Sequence, residues 1–154
     1  MSLEPVLESV EKNLNEGNIK YALLDLKTAK GIAPDDFRVY YYYGRCYLET
    51  KEYDDAIGNL EKAYNMNPLA QISYFLALAY VRNKDWQNAV EIAEDGLTKD
   101  PSDTIKGALY YLKSGAHIEL GEKKKAIAAA EKAVEVDPDN EDFKKHLELL
   151  KSKL

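Results

Sequence analysis

Residues 40–68 read YYYYGRCYLETKEYDDAIGNLEKAYNMNP, and the fold class follows from this stretch. It opens with a tyrosine-rich segment whose apolar and small side chains recur at helical spacing. A short polar break at Lys51-Glu52 follows, and the helical spacing resumes from Ala56 to Tyr64. Pro68 ends the stretch, because proline cannot continue the backbone hydrogen bonds of a helix. The stretch therefore predicts two helices joined by a tight turn.

The same pattern recurs along the chain, because a proline follows an alanine by twelve residues at four places: Ala22 and Pro34, Ala56 and Pro68, Ala89 and Pro101, Ala126 and Pro138. The prolines are 34, 33 and 37 residues apart, which indicates an internal repeat of one helix pair. The predicted repeats cover about 3–36, 37–69, 70–103 and 104–139. The longer last interval predicts extra residues around 102–107, in the first helix of the fourth repeat or in the loop before it.

A ninth helix is predicted over about 140–153, with Asn140 as its N-cap. Phe143, Leu147 and Leu150 share one side of this helix and charged residues the other. An apolar side for the last repeat and a polar side for water are what a terminal capping helix needs. The sequence thus predicts a single all-α domain over 1–154.

The repeated residues resemble the tetratricopeptide repeat, whose pattern runs from an aromatic residue through a small residue, a tyrosine and an alanine to a proline. The second repeat carries Tyr40, Tyr43-Gly44, Tyr47, Ala56, Leu60, Ala63 and Pro68, and the third carries Leu76-Ala77, Tyr80, Ala89, Ala93, Gly96 and Pro101. The fourth keeps Gly121, Ala126, Ala130, Ala133 and Pro138, whereas the first keeps Gly17, Ala22, Leu26, Ala29 and Pro34 without the aromatic and small pair. The resemblance implies a right-handed superhelix, or solenoid, with a concave groove. It also implies a non-catalytic scaffold or adaptor that binds a peptide segment of a partner protein in that groove.

The resemblance further implies which residues line the groove, namely one stripe along the first helix of each repeat. The groove candidates are Arg38, Tyr41, Tyr42, Arg45 and Glu49 in the second repeat, Gln71, Tyr74, Phe75, Leu78 and Arg82 in the third, and Tyr111 and Ile118 in the fourth. Arginine and tyrosine are enriched at binding hot spots, so a partner with apolar and acidic side chains is expected. The alternative for each tyrosine is that it only packs between neighbouring first helices.

Composition argues against several other functions. The formal charge is 21 − 27 = −6, which disfavours nucleic acid as a partner. The single cysteine, Cys46, is interpreted as a small buried residue, and two histidines cannot supply a catalytic or metal site with it. His117 is interpreted as an interface or groove residue and His146 as a surface residue of the capping helix. No enzyme activity, catalytic residue, cofactor or metal is therefore expected.

The longest uncharged run, residues 63–81, contains Pro68 and two asparagines, so no membrane insertion is expected. A cytoplasmic location is expected, and the sequence leaves open whether the chain is a fragment of a longer protein.

In the chaperone-binding members of the family, a clamp of lysine, asparagine and arginine side chains binds a C-terminal tail. If the clamp began in the second repeat, its positions would hold Tyr41, Arg45 and Phe75; if it began in the first, they would hold Leu7, Glu11, Tyr42, Gln71 and Phe75. Neither set fits the clamp, so a chaperone tail is not the expected ligand. The alternative function is structural, with homo-oligomers formed through a terminal repeat or the convex face.

Overall fold

The computed structural model describes residues 2–153, and within that range the chain forms nine α-helices and no strand. The helices are α1 Leu3–Asn15, α2 Ile19–Ile32, α3 Phe37–Glu49, α4 Tyr53–Met66, α5 Ala70–Arg82, α6 Trp86–Leu97, α7 Asp103–Glu119, α8 Lys123–Val136 and α9 Glu141–Ser152. They form two compact units that divide after Pro68: unit 1 holds α1–α4 and unit 2 holds α5–α9. The all-α class and the helix-pair repeat predicted from the sequence are confirmed. The prediction of a single domain stays a prediction.

In unit 1, the core lies between the helix pairs. Val10, Leu26 and Cys46, from α1, α2 and α3, are completely buried in one cluster. Gly44 of α3 lies against Leu60 of α4, where an added Cβ would come within 2.7 Å of Leu60 Cδ2. Gly44, the small residue of the repeat pattern, therefore sets how closely α3 and α4 approach.

The turn inside each repeat uses one residue with a left-handed backbone. Gly17, Lys51, Lys84 and Gly121 occupy equivalent positions and have φ values of 78°, 63°, 62° and 76°. In each case the next residue donates its backbone N–H to a carbonyl five residues back, as Glu52 does to Tyr47 at 2.9 Å. This is the Schellman arrangement, which satisfies the carbonyl groups at the end of a helix. The turn reverses the chain so that the second helix returns along the first.

In unit 2, the extra residues of the fourth repeat extend its first helix, so that α7 has 17 residues and begins at Asp103. Ser102 caps α7, since its hydroxyl accepts the N–H of Ile105 at 3.4 Å. Asn140 caps α9 as predicted, because its side chain accepts the N–H of Phe143 at 3.0 Å. The apolar side of α9 covers the last repeat, with Leu150 packed in a buried cluster of α8 residues.

The prediction that His146 lies on the surface of the capping helix is wrong. Its ring is half-buried, and Nε2 lies 2.8 Å from the hydroxyl of Ser114 on α7. Ser114 is completely buried and donates in turn to the backbone oxygen of Ala126 on α8, at 2.7 Å. Because a buried hydroxyl needs partners, His146 satisfies Ser114 and ties α9 to α7 and α8.

Candidate functional site

The first helices carry the predicted groove residues, and each unit presents its own set. We call the α3 residues Arg38, Tyr41, Tyr42, Arg45 and Glu49 the first-helix face of unit 1. The first-helix face of unit 2 consists of Gln71, Tyr74, Phe75, Leu78 and Arg82 on α5, with Tyr111 and Ile118 on α7. On α3 and α5 these residues recur at three- and four-residue intervals, and on α7 they are seven residues, or two turns, apart; within each helix they therefore share one side.

Arg45 is the centre of the first-helix face of unit 1. Its guanidinium carbon lies 5.6 Å from the ring centre of Tyr41 and 5.7 Å from that of Tyr42. The two rings meet edge to face, with centres 5.1 Å apart. Nη1 of Arg45 also lies 3.9 Å from Oε1 of Glu11 on α1. Contacts with a carboxylate and two aromatic faces hold the arginine in one position.

Glu11 also affects Tyr42 directly. The Tyr42 hydroxyl donates to Oε2 of Glu11 at 3.2 Å. Burial, together with the negative charge of Glu11, raises the pKa of Tyr42 to about 12. Tyr42 therefore remains a neutral hydrogen-bond donor throughout the physiological range.

Arg38 is held by two carboxylates at the start of α3. It donates to Asp36 through Nε at 3.0 Å and through Nη2 at 2.8 Å, and Nη1 lies 2.9 Å from Oε1 of Glu4. The hydrogen bond from Arg38 lowers the pKa of the Asp36 carboxyl. Asp36 also caps α3, since it accepts the backbone N–H of Arg38 at 2.9 Å.

The charge of this face differs from the sequence-based expectation. Each arginine already has a carboxylate neighbour, Glu4 and Asp36 for Arg38 and Glu11 for Arg45. These acidic residues were missed, although Glu4 and Glu11 precede the two arginines by 34 residues each. That spacing is one repeat, so it could have identified the pairs.

In unit 2, two of the predicted residues contribute to the core as well as to the face. Tyr74 packs against a buried cluster that includes Ala77 and Leu109, while Ile118 packs against a cluster that includes Ala126 and Leu150. Both side chains are half-buried. The alternative interpretation is that the tyrosines only pack between neighbouring first helices. It applies to the buried part of Tyr74, and the rest of this side chain is accessible.

Other residues of the unit 2 face are more accessible. Tyr111 is 36% exposed, although its ring centre lies 5.2 Å from that of Phe143 and 5.0 Å from that of His146. Arg82 is exposed and forms no ion pair with any residue in 2–153. A Cβ added to Gly115, one turn after Tyr111, would meet no other side chain within 4 Å. The surface along α7 is therefore open beside an aromatic ring.

A cavity of about 470 Å³ lies elsewhere in unit 2, and its lining includes Tyr110, Lys113, His117, Lys125 and Lys132. Each of its three lysines has a carboxylate within 4 Å. His117 is buried, as predicted for an interface residue, and Nδ1 lies 3.4 Å from Oε1 of Glu122.

Among residues 2–153, no three histidine, cysteine, aspartate or glutamate side chains are placed to hold a metal ion. No helix in the same range has the length and apolar character that would span a bilayer.

Comparison with known proteins identifies the repeat. One tetratricopeptide-repeat family model matches residues 22–68 and again 52–104, and a second matches 107–140. Among solved structures, MamA 41-end from Desulfovibrio magneticus RS-1 is 22% identical, with a TM-score of 0.86 over 98% of this chain and 84% of the solved MamA chain. A thermophilic TPR protein from Thermus thermophilus is 18% identical, with a TM-score of 0.77 over 97% of this chain and 81% of that one.

A third similar structure is the first TPR of Spaghetti (RPAP3), solved with an HSP90 peptide of sequence SRMEEVD. It is 20% identical, with a TM-score of 0.70, and the match covers 77% of this chain and 92% of that domain. At this identity, the solved structures support the fold alone. The family models cover most of the sequence with the same repeat that the prolines and alanines mark. The chain therefore belongs to the tetratricopeptide-repeat family.

Proposed function

We propose that the protein is a non-catalytic interaction module that binds a peptide segment of a partner protein on its first-helix faces. Proteins of this family generally mediate protein–protein interactions. The observation that carries the proposal is the accessible pair on the first-helix face of unit 2: Tyr111 is 36% exposed, and Arg82 is exposed without an ion pair to any residue in 2–153. Arginine and tyrosine are enriched at binding hot spots, and the packing of Tyr111 against Phe143 and His146 lowers the side-chain entropy that binding would cost.

The chemistry of the partner follows from which groups remain available. Arg38 and Arg45 are neutralised by carboxylates of unit 1, so an acidic group of a partner would have to compete with Glu4 or Glu11. Arg82 has no such competitor among the described residues. We therefore propose a segment with aromatic or aliphatic side chains that contact Tyr111 and its neighbours, and with one acidic group near Arg82.

The peptide bound by the Spaghetti domain is acidic, but that ligand is not proposed for this chain. The clamp positions of this chain hold Tyr41, Arg45 and Phe75 in place of the lysine and asparagine side chains that the chaperone-binding members use. At the positions of Tyr41 and Phe75 a tail carboxylate would meet aromatic rings in place of ammonium or amide groups, and Arg45 already has Glu11 as a neighbour.

The experiment is a selection of random peptides displayed on phage against the purified protein. The counter-selecting variant combines Arg82→Glu with Tyr111→Ala, because both side chains are accessible on unit 2. Arg45 and Tyr74 are less suitable, since substitution would remove the cation beside Glu11 or open a buried cluster. Tyr111→Phe is the matched control, as it keeps the ring.

Selected peptides, made synthetically with a fluorescent label, are expected to bind the double variant at least about tenfold more weakly than the wild type. Tyr111→Phe should bind like the wild type, and far-ultraviolet circular dichroism should confirm that all variants are folded. Equal affinity for the folded double variant and the wild type would contradict the proposal.

A further inference from the structure

The second helix of the first repeat, α2, exposes large apolar side chains on its outer side. Tyr21 is 61% exposed and Leu24 is 56% exposed, more than any other large apolar side chain in residues 2–153. They lie three residues apart and therefore share one side of the helix. Large exposed apolar groups that adjoin one another often mark an interaction surface.

The surface beside Leu24 is concave and forms a recess. A cavity of about 420 Å³ is lined by Ile19, Lys20, Leu23 and Leu24 of α2 and by Thr50. Ile19 and Leu23 are half-buried against the core of unit 1, so the floor of the cavity is rigid. An apolar side chain of a partner could insert here next to Leu24.

The other repeats act as an internal control for this surface. Counted from the alanine of each repeat, the position of Tyr21 holds Asp55, Asn88 and Lys125 in the other repeats, and that of Leu24 holds Gly58, Glu91 and Ala128. The position of Lys27 holds Glu61, Glu94 and Glu131. The repeat fold thus forms with polar, small or acidic residues at these positions. Packing of the helix pair does not require the tyrosine, the leucine or the lysine.

The charge of the α2 surface is also opposite to that of the chain as a whole. Lys20 and Lys27 lie one turn on either side of Leu24, and neither forms an ion pair with a residue in 2–153. The only acidic residue of α2, Asp25, points to α1, where it accepts hydrogen bonds from Ser9 at 2.6 Å and Asn13 at 3.0 Å. The outer side of α2 therefore presents free positive charge around an apolar centre.

We propose that this side of α2, here called the α2 surface (Ile19, Lys20, Tyr21, Leu23, Leu24 and Lys27), is a second docking surface. Its occupant is a segment of a partner protein that combines acidic residues with large apolar ones. The apolar side chains fill the recess and cover Leu24 and Tyr21, while the carboxylates pair with Lys20 and Lys27. This surface lies on a second helix, separate from the first-helix faces.

A second copy of this chain is the competing occupant, and the charges argue against it. A symmetric contact between two α2 surfaces would place lysines of one copy against lysines of the other. The outer side of α4 in a second copy carries the acidic residues Asp54, Asp55 and Glu61. However, it has Gly58 at the position where contact with Leu24 and the recess would need an apolar side chain. A distinct acidic and apolar segment satisfies both requirements.

The test uses a library of random peptides displayed on phage and a variant that carries the third repeat's residues on α2: Tyr21→Asn, Leu24→Glu and Lys27→Glu. All three positions are exposed, so the variant is expected to fold, and a thermal melt checks this. Peptides selected on the wild type and depleted on this variant are expected to contain aspartate or glutamate together with leucine or an aromatic residue. Labelled copies should bind the variant at least about tenfold more weakly, and Lys27→Glu alone should remove part of the salt dependence.

Two controls separate this proposal from the proposed function. Glu131→Lys places a lysine at the equivalent position of the fourth repeat and should leave the affinity unchanged. Arg82→Glu with Tyr111→Ala should also leave these peptides bound, since it alters the first-helix face of unit 2. Failure to obtain peptides that depend on the α2 surface, or selection of basic ones, would overturn the proposal. A dimer in light scattering that the α2 variant abolishes would also overturn it, in favour of a second copy.

Discussion

Glu11 and Arg45 occupy equivalent positions in consecutive repeats, and Oε1 of Glu11 lies 3.9 Å from Nη1 of Arg45. Glu4 and Arg38 repeat this relationship two turns earlier, at 2.9 Å. Both pairs are separated by 34 residues, the length of one repeat. In unit 1 the first helices therefore lie side by side in register, and the charge pattern of one repeat is complementary to that of the next.

The first prediction concerns the energy of the Glu11–Arg45 pair. A double-mutant cycle with Glu11→Gln and Arg45→Gln should give a coupling energy of about 0.2–1 kcal/mol, because the glutamate is half exposed and solvent screens the pair. Arg45→Gln alone should cost more than Glu11→Gln, since it also removes the contacts with Tyr41 and Tyr42. Urea unfolding gives the free energy of unfolding of the wild type, the two single variants and the double variant. Equal losses of stability in the two single variants would show that the contacts of Arg45 with the two rings contribute no stability.

The fold was largely predictable because it depends on local signals that repeat. Pro34, Pro68 and Pro138 each follow the end of a helix by two residues, and Gly44 lies where two helices approach most closely. Such features depend on one residue type at one position, so a single sequence reveals them. The left-handed turns at Lys51 and Lys84 were less visible, because lysine is not the residue that such a turn prefers.

The site was less predictable because it depends on which side chains meet. The resemblance to the repeat family implies the stripe along α3, but the carboxylates of Glu4 and Glu11 come from another helix. The sequence predicts a surface position for His146 on the capping helix, and this is wrong. Its buried partner, Ser114, lies 32 residues away in sequence, and no periodicity connects the two.

The second prediction concerns the turn residues. Lys51→Gly and Lys84→Gly should each stabilise the protein by about 0.5–1 kcal/mol, because a left-handed backbone strains any residue with a Cβ and does not strain glycine. The reverse change, Gly121→Lys, should destabilise the protein by a similar amount through backbone strain alone, because a Cβ added at Gly121 would meet no atom within 4 Å. Urea unfolding of the three variants checks the signs. A loss of stability in both lysine-to-glycine variants would contradict this account of the turn.

The third prediction concerns a close contact in unit 2. Gly96 of α6 faces Ser73 of α5, and an added Cβ would lie 2.7 Å from the Cβ of Ser73. Ser73 is completely buried and donates to the Ala70 carbonyl at 2.6 Å, so it has little room to move. Gly96→Ala should therefore destabilise the protein by about 1–3 kcal/mol through overpacking.

Gly58→Ala is the matched control for this prediction. Gly58 lies in α4 and has no neighbouring atom within 4 Å of an added Cβ. Because alanine favours the helix over glycine, this variant should gain about 0.5–1 kcal/mol. Chemical denaturation measures the free energy of unfolding of Gly96→Ala and Gly58→Ala. A similar change in both variants would mean that the contact with Ser73 does not cause the loss of stability in Gly96→Ala.

The fourth prediction concerns the only cysteine. Cys46 is completely buried, and burial raises the pKa of its thiol to about 12 from an ordinary value of 9.0. Because the thiolate is the reactive form, the native protein should react with a thiol reagent at mildly alkaline pH about a thousandfold more slowly than an unstructured peptide. Reaction should accelerate in denaturant as unit 1 unfolds. A native rate close to that of the peptide would mean that this core opens readily.

The last prediction concerns the pH dependence that His146 imposes on stability. The Ser114 hydroxyl donates its hydrogen to Ala126, so Nε2 of His146 must be the protonated nitrogen that donates to Ser114. Burial lowers the pKa of His146 from its ordinary value of 6.5. Between the lowered and the ordinary pKa the unfolded chain binds more protons than the folded one, so the free energy of unfolding falls as the pH drops below 6.5. Above 6.5 this contribution to stability is complete.

The variant His146→Gln isolates this effect, because its amide nitrogen can still donate to Ser114 but does not titrate. Between neutral pH and about pH 5.5, the wild type should lose more stability than the variant, with the difference due to His146. All other ionisable groups are the same in the two proteins and cancel in the comparison. Urea unfolding at each pH provides the free energies. If the two proteins lose stability in parallel, protonation of His146 does not weaken the attachment of α9, and the ring must reach solvent without breaking its bond to Ser114.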